Sequence, residues 1–475
     1  MKIPKEVLSI NLDELDLDPK AKTLMSKLLN IIEQMAQTIQ ELQKENQELK
    51  DEINRLKGEK GKPNIKPNVP KKEYDICRKK SSKKKWTKSS KKSRIKIDRV
   101  EVRQVDHDVL PPDAEYKGYR CVVVQNIKFV TDNVEYQLER YYSPSEKKTY
   151  EAELPEEVDG EFGPDLKAYV VSQYFSCRVP EKKIWRALIE GGISISVGQI
   201  SNILTKSCRD EFTQEKEDIF EAGMKSANYF HIDDTGARHK GINHHVQVIC
   251  TLLFSVFFIT RYKNKDAIRE ILGLNEDETI DKIMVSDDAK QFMFLAIWHA
   301  LCWIHEIRHY RKMKPVLEHH RTRLIEFLTK IWEFYDFLNE YKEHPCEERK
   351  RFLERRFDEL FSTKTGYDEL DKRIALTRKK KEKLLLVLTY PQIPLHNNPA
   401  EIALRELVIK NRISYGTKSE DGKIAWENMM TIMDTCRKHD VSFMDYVKDI
   451  FSKRYAMSRL STLILEKARS NPSSY

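Results

Sequence analysis

The chain has 475 residues and a net charge of +9, and 40% of its residues are hydrophobic while 33% are charged. This size and composition predict two to four domains with a large buried core, which excludes a single small domain. The most apolar run, residues 246–260, is too short to cross a bilayer, and its β-branched and aromatic residues predict buried strands instead. We therefore expect no membrane as a partner.

The eight cysteines are scattered singly, and no two of them form a C-x-x-C pair. In a long chain this spacing predicts reduced thiols rather than a disulfide framework. The first six residues, MKIPKE, lack the apolar segment of a secretion signal. Both features favour a cytoplasmic protein.

A seven-residue repeat of apolar positions runs from Met25 to Leu56 and predicts a coiled coil within residues 1–59. The a positions are Met25, Ile32, Ile39, Asn46 and Ile53, and the d positions are Leu28, Met35, Leu42, Leu49 and Leu56. Isoleucine at a with leucine at d favours two parallel strands, and one asparagine at an a position fixes the register. We expect a parallel homodimer; a helix packed on the chain's own core is the alternative.

A basic linker follows at residues 60–96. It contains sixteen lysines and arginines and two acidic residues, so this stretch carries a charge of +14 and the rest of the chain −5. Such a block typically binds a polyanion, and it has no helical or strand period of its own. A solvated tail is the alternative. The expected DNA contacts are Lys79, Lys80, Lys83, Lys84, Lys85, Lys88, Lys91, Lys92 and Arg94.

Residues 97–160 predict a small β-rich module, because Val122–Ile127 and Val134–Leu138 resemble short strands between polar turns. Residues 161–225 predict a helical domain. In it, a helix over Glu181–Leu188 ends at two glycines, and Ser196 caps a second helix. This pattern fits a DNA-binding helix-turn-helix, and a plain αα-hairpin fits it nearly as well.

Residues 226–425 predict an RNase H-like α/β core. Three consecutive strands are predicted at Tyr229–Asp233, His245–Leu253 and Ser255–Arg261. A helix follows at Asp266–Leu272, and a fourth strand follows at Lys282–Ser286. The chain after Trp298 is predicted to be helical to about Leu388, and residues 426–475 form a C-terminal helical region. The expected fold class is therefore mixed α+β.

Three distant acidic residues are the candidates for chemistry. Asp233 and Asp287 end predicted strands, and Glu401 opens a later helix. Carboxylates on rigid elements are the ligands that Mg²⁺ prefers, and two such ions activate an attacking oxygen and stabilise a leaving one. Spacing alone does not show that these residues meet, because an aspartate after a strand is commonly a turn former.

Four motifs in order carry a resemblance to a known family. The motifs are Ile232-Asp233-Asp234-Thr235, Ser286-Asp287, Cys302-Trp303-Ile304-His305 with Arg308, and the run 396–405 (HNNPAEIALR) followed by Lys410-Asn411-Arg412 and Tyr415-Gly416-Thr417. Over residues 160–451 the chain resembles transposases of the insertion-sequence 66 family, and the N-terminal coiled coil fits that family too.

The resemblance implies a DDE catalytic core with an all-helical insertion at about 310–383. Asp233, Asp287 and Glu401 would be the catalytic residues and would bind two Mg²⁺ or Mn²⁺ ions. The implied reaction is phosphodiester hydrolysis at the ends of an insertion element, followed by strand transfer into target DNA, in a bacterial cytoplasm or nucleoid. The alternative is a non-catalytic DNA-binding or accessory protein derived from such a transposase.

The resemblance also suggests double-stranded DNA contacts from the helix that carries Glu401, through Arg405, Lys410 and Arg412. For Arg405, an ion pair with Glu401 or Glu406 is the alternative. Asp234 and Asp288 are acidic neighbours of two of the proposed catalytic residues. The motif match favours Asp233 and Asp287 over these neighbours as the catalytic residues.

The chain departs from the family at two places. His396 stands where members often have aspartate. Many members have a cysteine-rich zinc module after the coiled coil, whereas only Cys77 and Cys121 lie in that region here, so we expect no zinc. We also expect Cys302, His305 and His309 to pack and hydrogen-bond rather than to ligate a metal.

Overall fold

The computed structural model describes residues 10–12, 14–57, 97–106, 111, 113–116, 118–127, 130–155, 158 and 160–470. The α-helices of four or more residues are α1 (Pro19–Leu56), α2 (Pro164–Phe175), α3 (Glu181–Glu190), α4 (Val197–Asn202), α5 (Thr213–Ser226), α6 (Lys265–Leu272), α7 (Trp303–Arg311), α8 (Glu318–Glu343), α9 (Glu347–Leu360), α10 (Asp368–Arg378), α11 (Lys381–Leu384), α12 (Asn398–Ser414), α13 (Glu420–Lys438), α14 (Phe443–Phe451) and α15 (Leu460–Ser470). The fold is mixed, with helices around two sheets.

A five-stranded sheet forms the centre of the structure. In spatial order its strands are β5 (Ser255–Thr260), β4 (Ile242–Cys250), β3 (Tyr229–His239), β6 (Ile280–Ser286) and β7 (Ala296–Leu301). The pairs β3–β4 and β4–β5 are antiparallel, because short hairpins join consecutive strands. The pairs β3–β6 and β6–β7 are parallel.

Two sequence predictions about this sheet were wrong. Asp233 does not end its strand, since β3 continues to His239 and pairs with β4 along that whole length. The residues after Asp233 are mostly polar, but they continue the strand as one arm of the β3–β4 hairpin. The segment Ala296–Leu301, predicted as helix from Trp298 onward, is the parallel strand β7.

Helices that precede the sheet in the chain and helices that follow it complete one hydrophobic core. The helical region before the sheet and the C-terminal helices pack on β3, β4 and β5, with α14 against α2 and α15 against α5. In α4, Ser196 caps the first turn as predicted, accepting a hydrogen bond from the Gln199 N–H at 3.1 Å. Ile200, Ile203 and Leu204 bury one face of this helix and its π-helical continuation.

Helix α13 covers the outer strand β5 with side chains instead of another strand. The N–H groups of Ser255, Phe257 and Ile259 donate to Thr435 Oγ1, Thr431 Oγ1 and Glu427 Oε1, at 3.3, 3.2 and 2.7 Å. Acceptors one helical turn apart match donors two strand residues apart, because both repeats advance about 6 Å. The outward N–H groups of β5 are therefore satisfied inside the protein.

A second hydrophobic core belongs to the helices between β7 and α12. Helices α7 to α11 bury a cluster of aromatic and aliphatic residues that is separate from the first core. Trp303, at the start of α7, is 1% exposed, packs against Phe334 and Phe357, and donates through Nε1 to the Leu384 carbonyl at 2.9 Å. This helical body therefore rests directly on the end of β7.

The long helix α1 docks one side of its first half on that helical body. Glu33 accepts from the N–H groups of Val316 and Leu317 at 2.6 and 2.9 Å, and Asn30 donates to the Gly366 carbonyl at 2.8 Å. The alternative of packing on the chain's own core thus holds for part of α1. The predicted d positions remain uncovered, with Leu28, Met35, Leu42, Leu49 and Leu56 between 45% and 79% exposed.

The region 97–160 contains less strand than the sequence predicted. Among its described residues, strands form only at β1 (Arg140–Ser143) and β2 (Lys148–Glu151), an antiparallel hairpin. Val122–Ile127 and Val134–Leu138 lie outside any strand, and Val122, Val124 and Val134 are at least 60% exposed. Strand propensity was insufficient here because these segments bury little side-chain surface against the rest of the described chain.

No helix in the described part of the chain is both long and apolar enough to traverse a lipid bilayer. The cysteines at 121, 177, 208, 250, 302, 346 and 436 all carry free thiols. Cys77 and the basic linker at 60–96 lie outside the described residues.

Candidate active site

The register of two parallel strands places Asp233 and Asp287 side by side. The ladder between β3 and β6 ends at the pair His231 and Val285. Asp233 and Asp287 each lie two residues further on, and neighbouring strands run about 4.8 Å apart. Because side chains alternate along a strand, two residues also return each carboxylate to the face of its paired residue.

Asn397 attaches the start of α12 to β3 beside Asp233. Its side-chain nitrogen donates to the Ile232 carbonyl at 3.0 Å, and its side-chain oxygen lies 2.8 Å from His231 Nδ1. Since the oxygen accepts, His231 must carry its proton on Nδ1, and burial lowers the pKa of His231 to about 3, so the ring is neutral. The Asn397 carbonyl in turn accepts from the Glu401 N–H at 3.1 Å.

Helix α7 supplies the groups that contact Glu401. The Cys302 sulfur accepts from the Asn397 N–H at 3.2 Å, which ties the two motifs together. His305 Nε2 and Arg308 Nη2 each lie 3.4 Å from Glu401 Oε1. Burial lowers the pKa of His305, and Arg308 lowers it further. Cys302 thus contacts the backbone of Asn397, and His305 contacts the carboxylate of Glu401.

The two competing acids are occupied by cationic partners. Asp234 Oδ1 lies 2.9 Å from Lys263 Nζ and accepts from Gln291 Nε2 at 2.9 Å. Asp288 forms an ion pair with Lys380. Neither Asp233 nor Asp287 forms an ion pair within the described part of the chain; each accepts a nearby backbone N–H, from Asp234 at 2.8 Å and Ala289 at 3.0 Å.

Negative charge is concentrated and uncompensated at Asp233. Burial raises the pKa of its carboxyl group to about 7, and the charges of Asp287, Asp234 and Glu401 raise it further, while the Asp234 N–H lowers it. A group with this environment is a typical feature of functional sites, since bringing like charges together costs free energy that folding alone does not recover.

The donor set fits a hard divalent cation. Three carboxylates supply oxygen ligands, and the unpaired pair Asp233 and Asp287 offers charge that such an ion would neutralise. In this conformation no group of three or more His, Cys, Asp or Glu residues in the described ranges is arranged to hold a metal ion. Glu401 is held by His305 and Arg308 in this conformation.

The predicted DNA contacts divide into three sets. Arg405 and Arg412 are exposed on α12, and neither forms an ion pair with any described residue, while Glu406 pairs with Arg178 instead. Lys410 contradicts its prediction: it is 1% exposed, donates to the Tyr174 carbonyl at 2.6 Å and lies over the Tyr174 ring. The contacts predicted in the linker lie outside the described residues, at Lys79, Lys80, Lys83, Lys84, Lys85, Lys88, Lys91, Lys92 and Arg94.

Some residues around the site gave no usable signal in the sequence. Lys263 and Gln291 are ordinary polar residues until the fold brings them to Asp234. Ser286 Oγ, 2.8 Å from His299 Nε2, donates to the Asp287 carbonyl at 2.6 Å and so fixes the turn after β6. His299 lies on β7, the strand that was missed. His396 is half-buried, and its Nδ1 has no hydrogen-bond partner within the described residues.

Comparison with known proteins gives two matches. Residues 159–425, more than half of the chain, match the family described as "Transposase IS66 family". A stretch of 189 residues is 38% identical to the uncharacterized protein y4jO of Sinorhizobium fredii, which is 40% of this chain and 58% of the relative. The chain thus spans less than two thirds of that relative's length. The family match includes Asp233, Asp287 and Glu401.

Proposed function

Because the chain belongs to the IS66 transposase family, we propose that it is a DNA transposase that hydrolyses phosphodiester bonds at the ends of an insertion element and joins the freed strand to target DNA. One observation supports this most strongly. The β3–β6 register and the Asn397 attachment direct three sequence-distant carboxylates toward one end of the parallel strands.

The proposed catalytic core is RNase H-like. Three antiparallel strands at one side, followed by two strands parallel to the first, give the order β5-β4-β3-β6-β7. In open sheets with parallel strands, sites lie beyond the carboxyl ends of the strands. Asp287 directly follows β6, and Asp233 on β3 is level with Asp287. Both residues therefore lie where a site is expected in such a sheet.

Asp233, Asp287 and Glu401 would hold two Mg²⁺ or Mn²⁺ ions. Such ions supply activation of the attacking oxygen and stabilisation of the leaving oxygen. The protein's own residues orient this site: Asn397 fixes the start of α12, and His305 and Arg308 hold the Glu401 carboxylate. Lys263 neutralises Asp234, so the unpaired acidic group at this point of β3 is Asp233.

DNA and a second copy of the chain are the proposed partners. The linker's +14 charge suits the phosphate backbone, and counterion release would make its binding strongly salt-dependent. The exposed d positions of α1 suit a parallel dimer, because isolated leucine seams of this length are stable only when paired. We propose no zinc site.

The test is cleavage of a labelled duplex that carries the ends of the element encoding this chain, with Mg²⁺ present. Wild type should cut it, whereas Asp233→Asn, Asp287→Asn and Glu401→Gln should lose cleavage more than about 100-fold and keep DNA affinity. Calorimetric titration with Mn²⁺ gives a readout independent of activity: each variant should bind the ion more weakly than wild type.

One observation favours a second function, a non-catalytic DNA-binding or accessory protein. Glu401 is engaged by His305 and Arg308, and no metal-holding group of three exists among the described residues in this conformation. Under this alternative, wild type and Asp233→Asn would bind the end duplex equally, neither would cut it, and Mn²⁺ titration would show no specific site.

A further inference from the structure

One face of α12 connects the candidate active site to the far end of the β3–β4 hairpin. Arg405, Arg412 and Tyr415 follow Glu401 by four, eleven and fourteen residues. With about 100° of rotation per residue, Arg405 and Arg412 fall within about 40° of Glu401 around the helix axis, and Tyr415 is the residue directly after the helix ends at Ser414. At about 1.5 Å per residue, Tyr415 lies about 21 Å from Glu401 along that axis.

Tyr415 ends this face as an exposed aromatic residue held in an unusual backbone conformation. Its side chain is 84% exposed, and its φ of 56° lies in the left-handed region that usually favours glycine. A non-glycine residue in this conformation costs backbone free energy, and packing of the exposed ring within the described part of the chain does not recover it.

The residues after Tyr415 anchor it to β3. Gly416 has a φ of 93°, and a Cβ at this position would lie 2.1 Å from the Arg238 carbonyl oxygen, so only glycine fits. The Thr417 N–H donates to that oxygen at 3.0 Å, and the Thr417 carbonyl accepts from the Lys240 N–H at 2.8 Å. The aromatic ring is thus carried by a fixed backbone and not by a loose loop.

Exposed arginines lie along this face of α12 and, on β3, beside its aromatic end. Arg238, Arg405 and Arg412 are exposed, and none of the three forms an ion pair with another described residue. On the buried side of α12, Lys410 and Glu406 have partners within the protein. Arg405 and Arg412 therefore lie on the face of α12 that bears Glu401 and leads to Tyr415, which we name the α12 track (Glu401, Arg405, Arg412 and Tyr415). Arg238 lies beside the end of this track, on β3.

We propose that the α12 track binds DNA along its length and that Tyr415 stacks on an unpaired base about 21 Å from the cleavage site. Arginines meet phosphates, whereas an exposed aromatic ring offers a surface on which any base stacks regardless of sequence. The stated distance corresponds to about six base steps of duplex at 3.4 Å each. This inference rests on the proposed function for the location of the cleavage site.

The test measures DNA binding in EDTA, where cleavage cannot interfere. Fluorescence anisotropy compares a labelled duplex with the same duplex containing one unpaired base. Wild type should prefer the second duplex, and Tyr415→Ala should remove about tenfold of affinity for it while leaving the fully paired duplex unaffected. Tyr415→Trp should keep the preference, which separates stacking from loss of fold.

Tyr455→Ala is the matched control. Tyr455 is also exposed and has a positive φ of 48°, but it lies between α14 and α15 and packs against Arg459. This variant should behave as wild type. Equal preference in wild type and Tyr415→Ala, with cleavage intact in Mg²⁺, would overturn the stacking proposal alone. Absence of DNA binding and cleavage in wild type would overturn the proposed function as well.

Discussion

The side-chain amide of Asn397 donates to the main-chain carbonyl of Ile232 at 3.0 Å, one residue before Asp233. This bond joins parts of the chain that are 165 residues apart. It is buried, and the same side chain also meets His231. The position of Glu401 relative to Asp233 therefore depends on an amide that is not itself a candidate ligand.

Replacing Asn397 by alanine should damage both stability and cleavage. The His231 Nδ1–H and the Ile232 carbonyl would lose their partner in the interior, which costs about 1–3 kcal/mol. A shift of Glu401 by 1 Å can reduce the rate about 100-fold. Chemical denaturation and cleavage of the end duplex measure the two effects. The neighbouring, exposed Asn398→Ala is the control, and equal behaviour of the two variants would contradict this role of Asn397.

Thr431→Val should destabilise the fold without changing side-chain shape. Valine leaves the Phe257 N–H buried without an acceptor, at a cost of about 1–3 kcal/mol. Thr431→Ser keeps the hydroxyl and should lose less. Urea denaturation measures the difference between the two variants. If valine proves as stable as serine, the hydrogen bond to β5 does not contribute.

Lys410→Met should change how stability depends on pH. Burial lowers the pKa of Lys410 to about 7, against about 10.4 in an unfolded chain. Between these values the unfolded state binds more protons, so the lysine makes stability rise as pH increases from about 7, while below that pH its cost is complete. The wild-type stability should therefore climb more steeply than the variant's. Parallel curves from denaturation at pH 7 to 9 would contradict this environment.

Leu49→Glu should convert a dimer to a monomer. Leu49 occupies a predicted d position and is 57% exposed in the single chain, so a charge there would be buried in a paired seam. Gln47→Glu, at a b position on the side of α1 away from the seam, is the control. Sedimentation velocity measures both. If wild type is monomeric at micromolar concentration, the seam does not pair.

Glutamine replacements of the nine basic linker residues named above, from Lys79 to Arg94, should weaken the dependence of DNA affinity on salt concentration. Each phosphate contact contributes about −0.9 to the slope of log affinity against log salt concentration. Replacing Arg405 and Arg412 instead should make this slope less steep by the contribution of about two phosphate contacts. Anisotropy titrations at several salt concentrations give these slopes. Unchanged slopes in the linker variant would show that the linker does not bind DNA.

The sequence predicted four of the five strands of the central sheet, but not the contacts that hold them to α12. The apolar runs of β4, β5 and β6 were visible because buried strands are continuous in hydrophobicity. β7 was missed because Trp298 and His299 interrupt its pattern, and β3 was cut short because its outer half is polar. Helix α12 was located from its proline and motif, yet its contacts with β3 depend on His231 and Ile232, whose roles appear only when the chain is folded.

Lys410 shows why a motif does not decide which way a side chain points. It stands two residues before Arg412 in a basic run, so composition suggested one shared partner. In a helix, two residues are separated by about 200°, and the two side chains face opposite sides. One is exposed and the other reaches the Tyr174 carbonyl. The composition of a segment does not show which side chain is buried and which is exposed unless the buried face of the helix is known.

The covering of β5 by α13 restricts how copies of this protein can aggregate. An outer strand with free N–H groups would invite strands from other chains to extend the sheet. Here every second amide is already engaged by Glu427, Thr431 or Thr435, so that side of the sheet offers no template. Self-association at this edge would first require α13 to detach, at the expense of the core beneath it.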